Sequence, residues 1–346
     1  MTKKNYNSID LFKFICAILI IIIHTAPFSS YSSLLTFGFR NIICVIAVPF
    51  FFIASGFIFF KKMDNIDDPL EKKQAIKRQL NRLIIMYCLW SLIYLGFVIY
   101  KWVNAGFQWS FVLEYVKDFF LEGSYQTIWF LPALIVATLL VYLLHKKFSY
   151  KTIFLISLPI YLFTLLGSSY YGLAIKVPFI KSIYDAYYTV FDTIKNGVCF
   201  GLIFVSMGGW IGSQKESKLN FKMNLLLVIV LFVIFAAEEF LVAKFDWNTK
   251  GVDTTIFLVP LSYFIFKCVK DIKLPDSKVW VQLRKLSMLM FLSQRIPLSI
   301  IELFMADTIF YTNSLLFFVT VLLSTLGISY LLIYLSKKVK FLKYLC

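Results

Sequence analysis

The sequence from residue 9 to residue 28 reads IDLFKFICAILIIIIHTAPF. This run is long enough to cross a bilayer as one helix, since a membrane-spanning helix needs about 20 mostly apolar residues. No small-residue cleavage site follows Ile23, so we expect a permanent first span and not a cleaved signal peptide. Similar runs predict ten spans in all, at residues 9–28, 41–60, 83–100, 127–145, 152–167, 190–211, 223–242, 254–270, 286–304 and 314–335.

The composition of the 346 residues agrees with a membrane protein. Hydrophobic residues make up 60% and charged residues 16% of the chain, whereas soluble domains contain about 25% charged residues. The apolar runs are continuous, which excludes the alternating pattern of a membrane β-barrel. We therefore predict an all-α, polytopic helical bundle that forms a single integral membrane domain over residues 1–346.

The charge distribution predicts the orientation of the bundle. The net charge of +16 would suggest a nucleic-acid partner in a soluble protein. Here the predicted inner loops hold 25 Lys and Arg residues and the outer loops hold seven. This bias follows the positive-inside rule and predicts two cytoplasmic termini in a multi-pass protein of the plasma membrane. We expect the lipid bilayer as a partner and no nucleic acid.

The six cysteines are scattered singly through the sequence. They form no CxxC pair and have no histidine at ligand spacing. We interpret them as small apolar packing residues and predict neither a disulfide nor a metal site.

The first span carries three ionisable residues, which are costly in hydrocarbon and therefore candidates for function. Asp10 and Lys13 are three residues apart and can pair on one helix face. His24 follows Lys13 by eleven residues, a rise of about 16 Å, and neutral imidazole suits general-base catalysis. A snorkelling Lys13 and an interfacial His24 form the alternative interpretation. The other histidine, His145, lies beside lysines and is interpreted as a solvated interfacial residue.

Two further segments combine polar groups with a predicted span. In the second span, Pro49 frees a backbone carbonyl and Ser55-Gly56 permits close helix approach, although packing alone would explain both features. Before the third span, Arg78 and Arg82 lie four residues apart on one helix face. Guanidinium groups match phosphate oxygens, but ordinary positive-inside charge is the alternative.

Other polar residues lie in or next to later spans. They are Trp129 at the start of the fourth span, Lys195-Asn196 in the sixth, Glu238-Glu239 in the seventh, and Gln294-Arg295 in the ninth. An interfacial anchor would also explain the tryptophan. A Glu–Arg pair between the seventh and ninth spans is one arrangement that the sequence permits. Residues 109–120 have the pattern of a short interfacial helix.

Taken in order, these segments resemble the acyltransferase-3 family of integral membrane proteins over about residues 10–300. The matching motifs are Asp10 and Lys13 with His24, residues 46–52 (IAVPFFF) with Ser55-Gly56, the basic segment 77–82, residues 129–134 (WFLPAL), Lys195-Asn196-Gly197, and residues 286–294. Three positions depart from the family pattern, in which Lys13 and Val45 are commonly Arg and Gln294 is commonly His.

The resemblance implies transfer of an acyl group, usually acetyl, from acetyl-CoA or another acyl-CoA to a hydroxyl of a cell-envelope glycan or lipid-linked acceptor. It implies no tightly bound cofactor. His24 would be the general base or acyl relay, with Lys13 and Asp10 as its catalytic partners. The implied donor-binding residues are Arg78, Arg82, Lys195 and Asn196. The implied residues of substrate or structural support are Ser55, Trp129, Glu239, Gln294 and Arg295.

The same fold forms the membrane half of vancomycin-resistance serine racemases, which this chain resembles in its second and fourth spans. That subgroup suggests transport or binding of a small polar solute, such as serine, instead of acylation. A non-catalytic partner subunit is a third hypothesis. If the chain is complete at Cys346, it lacks a soluble racemase domain and we do not expect racemase activity itself.

Overall fold

The computed structural model describes residues 6–214 and 219–345, and these ranges contain helices and loops but no strand. The α-helices in chain order are α1 (Asn7–Thr25), α2 (Ser33–Phe37), α3 (Ala47–Met63), α4 (Pro69–Asn104), α5 (Trp109–Leu121), α6 (Phe130–His145), α7 (Tyr150–Gly167), α8 (Tyr171–Ala174), α9 (Pro178–Tyr188), α10 (Leu202–Ser213), α11 (Phe221–Lys244), α12 (Leu258–Asp271), α13 (Lys278–Ser293), α14 (Arg295–Phe304), α15 (Ile309–Thr312) and α16 (Ser314–Ser336). Gly38–Ile43 and Gly197–Gly201 are π-helical, and Cys44–Ile46 and Lys340–Leu345 are 3₁₀-helical. Four lysines of the predicted inner loops (Lys3, Lys4, Lys215 and Lys218) and Cys346 lie outside the described residues.

The helices confirm the all-helical membrane architecture. Within the described ranges, seven segments are long and apolar enough to cross a membrane: Asn7–Thr25, Ser33–Met63, Pro69–Asn104, Tyr150–Gly167, Phe221–Lys244, Lys278–Phe304 and Ser314–Ser336. Phe130–His145 and Gly197–Ser213 are shorter apolar helices, and α12 has 14 residues. Each of the ten predicted spans coincides with a helical segment, but the count of ten and the cytoplasmic termini remain predictions. The helix predicted at 109–120 is α5.

The sixth span starts later than the sequence predicts. Its helix begins at Gly197 and not at residue 190, because the side chain of Asn196 caps it. The Asn196 amide oxygen accepts hydrogen bonds from the backbone N–H groups of Val198 at 3.0 Å and Cys199 at 2.9 Å. An asparagine cap satisfies donors that have no partner inside the helix. Lys195 and Asn196 therefore precede the helix and do not lie within it.

The ninth span consists of two helices joined at Gln294. Helix α13 ends at Ser293 and α14 begins at Arg295. Pro297 explains the break, because it lacks the N–H group that would bond to the carbonyl of Ser293. Gln294 itself keeps right-handed helical dihedral angles, with φ of −56° and ψ of −27°, so α13 and α14 follow each other within one span of Lys278–Phe304.

The chain divides into two compact units. The first unit contains the described residues up to Val48, Ile85–Phe111 and the described residues from Val269 onward. The second unit contains Pro49–Ile84 and Val112–Cys268. The single domain over residues 1–346 remains a prediction.

In the first unit, α1 packs against α13 and α16, and α13 packs against α16. The C-terminal half of α4 adds two buried aromatic side chains that also have polar partners. Trp90 donates its indole N–H to the carbonyl of Leu345 at 3.4 Å, and the Tyr94 hydroxyl donates to the carbonyl of Leu292 at 2.5 Å. These contacts bury large apolar rings without leaving their donors unpaired.

In the second unit, glycines allow α3 and α10 to approach closely. A Cβ atom on Gly56 would lie 2.3 Å from the carbonyl oxygen of Val205, and one on Gly208 would lie 2.2 Å from that of Ile53. Small residues of this kind let membrane helices meet backbone to backbone. The predicted close approach at Gly56 is confirmed.

His145 has more contacts than the interpretation as a solvated residue implies. Its ring stacks on Tyr150 with centroids 3.7 Å apart, and its Nδ1 lies 3.1 Å from the carbonyl oxygen of Phe148. The Tyr150 hydroxyl donates to Asp64 at 2.7 Å. These contacts join the end of α3 to the turn between α6 and α7.

The five described cysteines form no disulfide, and four of them are buried. Their burial agrees with the interpretation of these residues as small packing groups.

Candidate functional site

The candidate catalytic histidine lies near the end of α1. Helix α1 stops one residue after His24, where Ala26 adopts the left-handed conformation with φ of 44°. The His24 side chain is half-buried. Its Nδ1 atom lies 3.3 Å from an Nη atom of Arg295, which is a buried residue and the first of α14. The start of α14 therefore carries a guanidinium group beside the imidazole.

This contact determines which nitrogen of a neutral His24 carries the proton. Guanidinium has donors and no acceptor, so Nδ1 must accept the hydrogen bond from Arg295. Neutral His24 then carries its proton on Nε2. In this geometry Nε2–H can donate a hydrogen bond, and Nδ1 becomes a base only when Arg295 withdraws. The sequence alone does not reveal this distinction.

The carboxylate that Arg295 contacts is that of Glu302. The two side chains are 3.8 Å apart on α14, so a carboxylate, a guanidinium and an imidazole follow one another in the first unit. Glu302 lies seven residues after Arg295, about two turns along the same helix. A pair of Arg295 with Glu238 or Glu239 remains a prediction.

Gln294 is completely buried at the break. Its amide nitrogen donates to the carbonyl of Phe291 at 2.9 Å. Its amide oxygen is buried without a hydrogen-bond partner. An unsatisfied buried acceptor is costly, so a donor that approaches this point would relieve the cost.

The opposite end of α1 carries a second ion pair. Arg284 of α13 binds Asp10 at two points, with Nε 2.8 Å from Oδ1 and an Nη atom 2.6 Å from Oδ2. This pairing of two parallel hydrogen bonds is the strong geometry for Arg and carboxylate. Lys13 is half-buried on the same helix, and its pairing with Asp10 remains a prediction. About 21 Å of helix rise separates Asp10 from His24.

In the second unit, the observed contacts of Lys195 and Asn196 are structural. Lys195 Nζ lies 2.5 Å from the carboxylate of Asp253, and Asn196 caps the following helix. The Asn196 amide also donates to the Tyr187 hydroxyl at 2.8 Å. Use of these two residues by an acyl donor, together with the exposed Arg78 and Arg82 of α4, remains a prediction.

The two glutamates of α11 have different surroundings. Glu238 accepts hydrogen bonds from the backbone N–H groups of Ile256 at 2.7 Å and Phe257 at 2.9 Å, and from the Tyr170 hydroxyl. Glu239 is 1% exposed, and neither carboxylate oxygen makes a hydrogen bond of normal geometry. Glu238 therefore anchors the loop before α12, whereas Glu239 is a buried acid that the local structure leaves unsatisfied.

A cavity of about 390 Å³ opens in the second unit beside Trp129. Its lining combines an aromatic ring, two carboxyl groups and a lysine, from Trp129, Asp118, Glu122 and Lys195. Burial raises the pKa values of the Asp118 and Glu122 carboxyls. This is a suitable surface for a small hydrophilic molecule, because charged and aromatic groups face the same space.

Three acidic side chains at the edge of this cavity could share a cation. The ligand atoms of Asp118, Glu122 and Asp192 all lie within 4.8 Å of one another. Lys117 already supplies positive charge there, since its Nζ is 3.3 Å from Asp192 and 3.6 Å from Asp118. Lys117, Asp118 and Asp192 therefore form an ion-pair network at this edge of the cavity.

Ser55 has a local partner, because its hydroxyl donates to the carbonyl of Phe51 at 2.8 Å. Its proposed role at an oxyanion remains a prediction. The sequence alone does not single out Arg284 or Glu302, since Arg284 resembles an ordinary loop charge. The signal that could have found Arg284 is its position at the start of a predicted span, where an arginine can reach a carboxylate such as Asp10 on a neighbouring helix.

Comparison with known proteins agrees with this architecture. The sequence model of the acyltransferase-3 family, described as an acyltransferase domain, matches residues 6–334. An amino-acid racemase of Enterococcus faecalis is 31% identical over 268 residues, which are 77% of this chain and 36% of that protein. A second amino-acid racemase of E. faecalis is 25% identical and covers 98% of this chain and 47% of its own length.

A serine/alanine racemase of Enterococcus gallinarum is also 25% identical, over 93% of this chain and 45% of its own length. The chain thus spans less than half the length of these curated relatives. No solved structure matches the chain. The family match covers nearly all of the described helices, and the chain therefore belongs to the acyltransferase-3 family of integral membrane proteins.

Proposed function

We propose that this protein is an O-acyltransferase of the plasma membrane. It would move an acyl group, with acetyl as the expected one, from acyl-CoA on the cytoplasmic side to a hydroxyl of a cell-envelope glycan or lipid-linked acceptor. The observation that carries the proposal is the contact between the half-buried His24 and the buried Arg295 at the end of the first membrane helix. Intramembrane ionisable residues are costly and are retained chiefly for function.

The proposed reaction breaks the thioester C–S bond and forms a C–O bond to the acceptor. The acceptor hydroxyl loses its proton and the departing thiolate gains one. With Arg295 on Nδ1, His24 presents Nε2–H to the thioester oxygen or the leaving sulfur. When Arg295 withdraws from Nδ1, that nitrogen takes the proton of the acceptor hydroxyl, and the guanidinium is free to stabilise the developing oxyanion. The imidazolium so formed gives its Nε2 proton to the departing thiolate.

Donor binding in this proposal uses the basic face of α4. Arg78 and Arg82 are exposed and four residues apart on one continuous helix, so their side chains project from the same face. Two guanidinium groups there would bind the phosphates of CoA.

A second candidate function is transport or binding of a small polar solute such as an amino acid. The names of the racemase relatives favour it. The cavity beside Trp129 also favours it, because carboxyl groups of Asp118 and Glu122 and the ammonium group of Lys195 could bind the two charges of a zwitterion. This candidate requires no thioester.

Acetyl-CoA binding and turnover in nanodiscs distinguish the two candidates. We expect wild-type protein to bind acetyl-CoA and Arg78→Ala/Arg82→Ala to weaken binding about 10-fold or more, since hydrogen bonds to charged groups are worth about 1.5–3 kcal/mol each. Lys72→Ala/Lys73→Ala removes two charges from the same helix and should bind as wild type. His24→Ala should still bind acetyl-CoA, but its turnover, measured as CoA production, should be at least about 100-fold slower.

The opposing result is a folded wild-type protein that ignores acetyl-CoA. Binding of serine by the same preparation, weakened by Glu122→Gln, would then favour the second candidate. Unchanged turnover in His24→Ala would remove the catalytic role of His24 even if donor binding persisted.

A further inference from the structure

An apolar groove runs along the first unit between α13 and α16. Its volume is about 520 Å³, and its lining residues are Leu286, Leu326, Gly327, Tyr330, Leu331 and Tyr334. Gly327 forms its open part, because a Cβ atom built there would meet no atom within 4 Å. Both helices belong to segments long and apolar enough to cross a membrane. A groove of this composition in hydrocarbon fits an alkyl chain and offers little to a polar solute.

The register of the two helices shows which charges lie at the end of the groove. The hydroxyls of Ser293 and Ser329 are 3.3 Å apart, which fixes the level at which α13 and α16 meet. The helices are antiparallel, since the chain turns back between them through α14 and α15. Seven residues from this level, Leu286 on α13 is therefore level with Ser336 on α16. The end of the groove near Tyr334 thus coincides with Lys285 and Lys337.

Three exposed lysines gather at that end. They are Lys285, Lys337 and Lys338. Lys338 extends its ammonium group over the ring of Tyr334, a groove-lining residue, at 4.9 Å from the centroid. The nearby Arg284 is neutralised by Asp10. The sequence contains no Asp or Glu between residues 277 and 301 or between residues 308 and 346. The positive charge at this end is therefore not balanced by neighbouring acids of α13 or α16.

We propose that the groove is a binding site for one anionic glycerophospholipid. One acyl chain would lie over Gly327 between α13 and α16, and the phosphate head group would contact the three lysines. Apolar lining explains the chain, and the lysine cluster explains the preference for anionic over zwitterionic head groups, because lysines near a membrane surface attract anionic lipids. The site is separate from the His24–Arg295 contact and does not depend on the proposed reaction.

Native mass spectrometry of protein exchanged into phosphatidylglycerol or phosphatidylcholine tests the site. We expect wild-type protein to retain one phosphatidylglycerol molecule, with at least a 5-fold preference over phosphatidylcholine. Gly327→Leu should reduce that retention at least 5-fold by filling the groove. Lys337→Ala/Lys338→Ala should keep a bound lipid but lose the head-group preference.

Gly96→Leu is the matched control. Gly96 also lies on a membrane helix of the first unit, and a Cβ atom added to it would meet no atom within 4 Å, but it does not line the groove. This variant should retain phosphatidylglycerol as wild type does. Thermal melts verify folding, and Gly327→Ala replaces Gly327→Leu if the larger side chain disrupts the protein. Equal retention in Gly327→Leu and wild type, or equal retention of both lipids by wild type, would overturn the proposal.

Discussion

Loss of the Arg284 side chain should destabilise the protein more than loss of its partner Asp10. The Asp10 side chain is 2% exposed and that of Arg284 is 42% exposed. Arg284→Ala removes two hydrogen bonds from a buried carboxylate, and breaking a buried pair in this way costs about 3 kcal/mol or more. Asp10→Ala leaves a guanidinium that water already reaches, so we expect a loss of about 1 kcal/mol.

The free energy of unfolding, measured by titration with sodium dodecyl sulfate in mixed micelles at pH 7, tests this asymmetry. The double variant Asp10→Ala/Arg284→Ala should resemble Asp10→Ala, because no buried charge remains. Lys285→Ala removes a neighbouring exposed charge and should change stability by less than about 0.5 kcal/mol. Equal losses for the two single variants, or a larger loss for Asp10→Ala, would refute the reasoning from burial.

Three other predictions concern different parts of the chain. Arg295→Lys should slow acyl transfer at least 10-fold while acetyl-CoA binding, followed by calorimetry, stays within 3-fold, because a lysine keeps the charge but not the fork that contacts His24. Gly208→Ala should lower the free energy of unfolding by about 1–3 kcal/mol through overpacking. Gly327→Ala should leave that free energy unchanged or raise it by up to about 1 kcal/mol. Unfolding titrations that rank the two variants in the opposite order would contradict the packing argument. Burial raises the pKa of the Glu122 carboxyl above its ordinary value of 4.5. The contribution of Glu122 to stability is therefore most favourable at acidic pH and falls as the pH rises from 4.5 through the folded-state pKa. Melting temperatures should fall less between pH 4 and pH 7 in Glu122→Gln than in wild type, and parallel curves for the two proteins would contradict this prediction.

The sequence predicted the parts of the fold that depend on local composition. Apolar length located a helix at each expected span, and the Ser55-Gly56 pair marked a close helix contact. The predictions of the spans are confirmed because hydrocarbon requires the backbone polar groups of a spanning segment to be satisfied inside its own helix. The family resemblance, confirmed by the match over residues 6–334, came from the order of several weak motifs.

The features that the sequence missed depend on contacts between distant residues. Arg284 is 274 residues from Asp10, and Arg295 is 271 residues from His24. No periodicity within one helix reports which charges on another helix face it. The role of Asn196 was also missed, because a cap and a buried amide look alike until the first helical residue is known. The tautomer of His24 could not be inferred without the guanidinium beside Nδ1.

The left-handed conformation of Ala26, the residue that follows α1, lowers the stability of the chain but restricts its backbone. Ala26 has φ of 44°, a conformation that costs an L-residue with a Cβ atom about 1–2 kcal/mol and costs glycine much less. Glycine at this position would relieve the strain but would also widen the range of directions in which the chain leaves the helix. Alanine accepts the energetic penalty and restricts that range two residues after His24. Backbone strain of this kind tends to occur where a side chain must be aimed, and Ala26 carries it two residues after the candidate catalytic histidine.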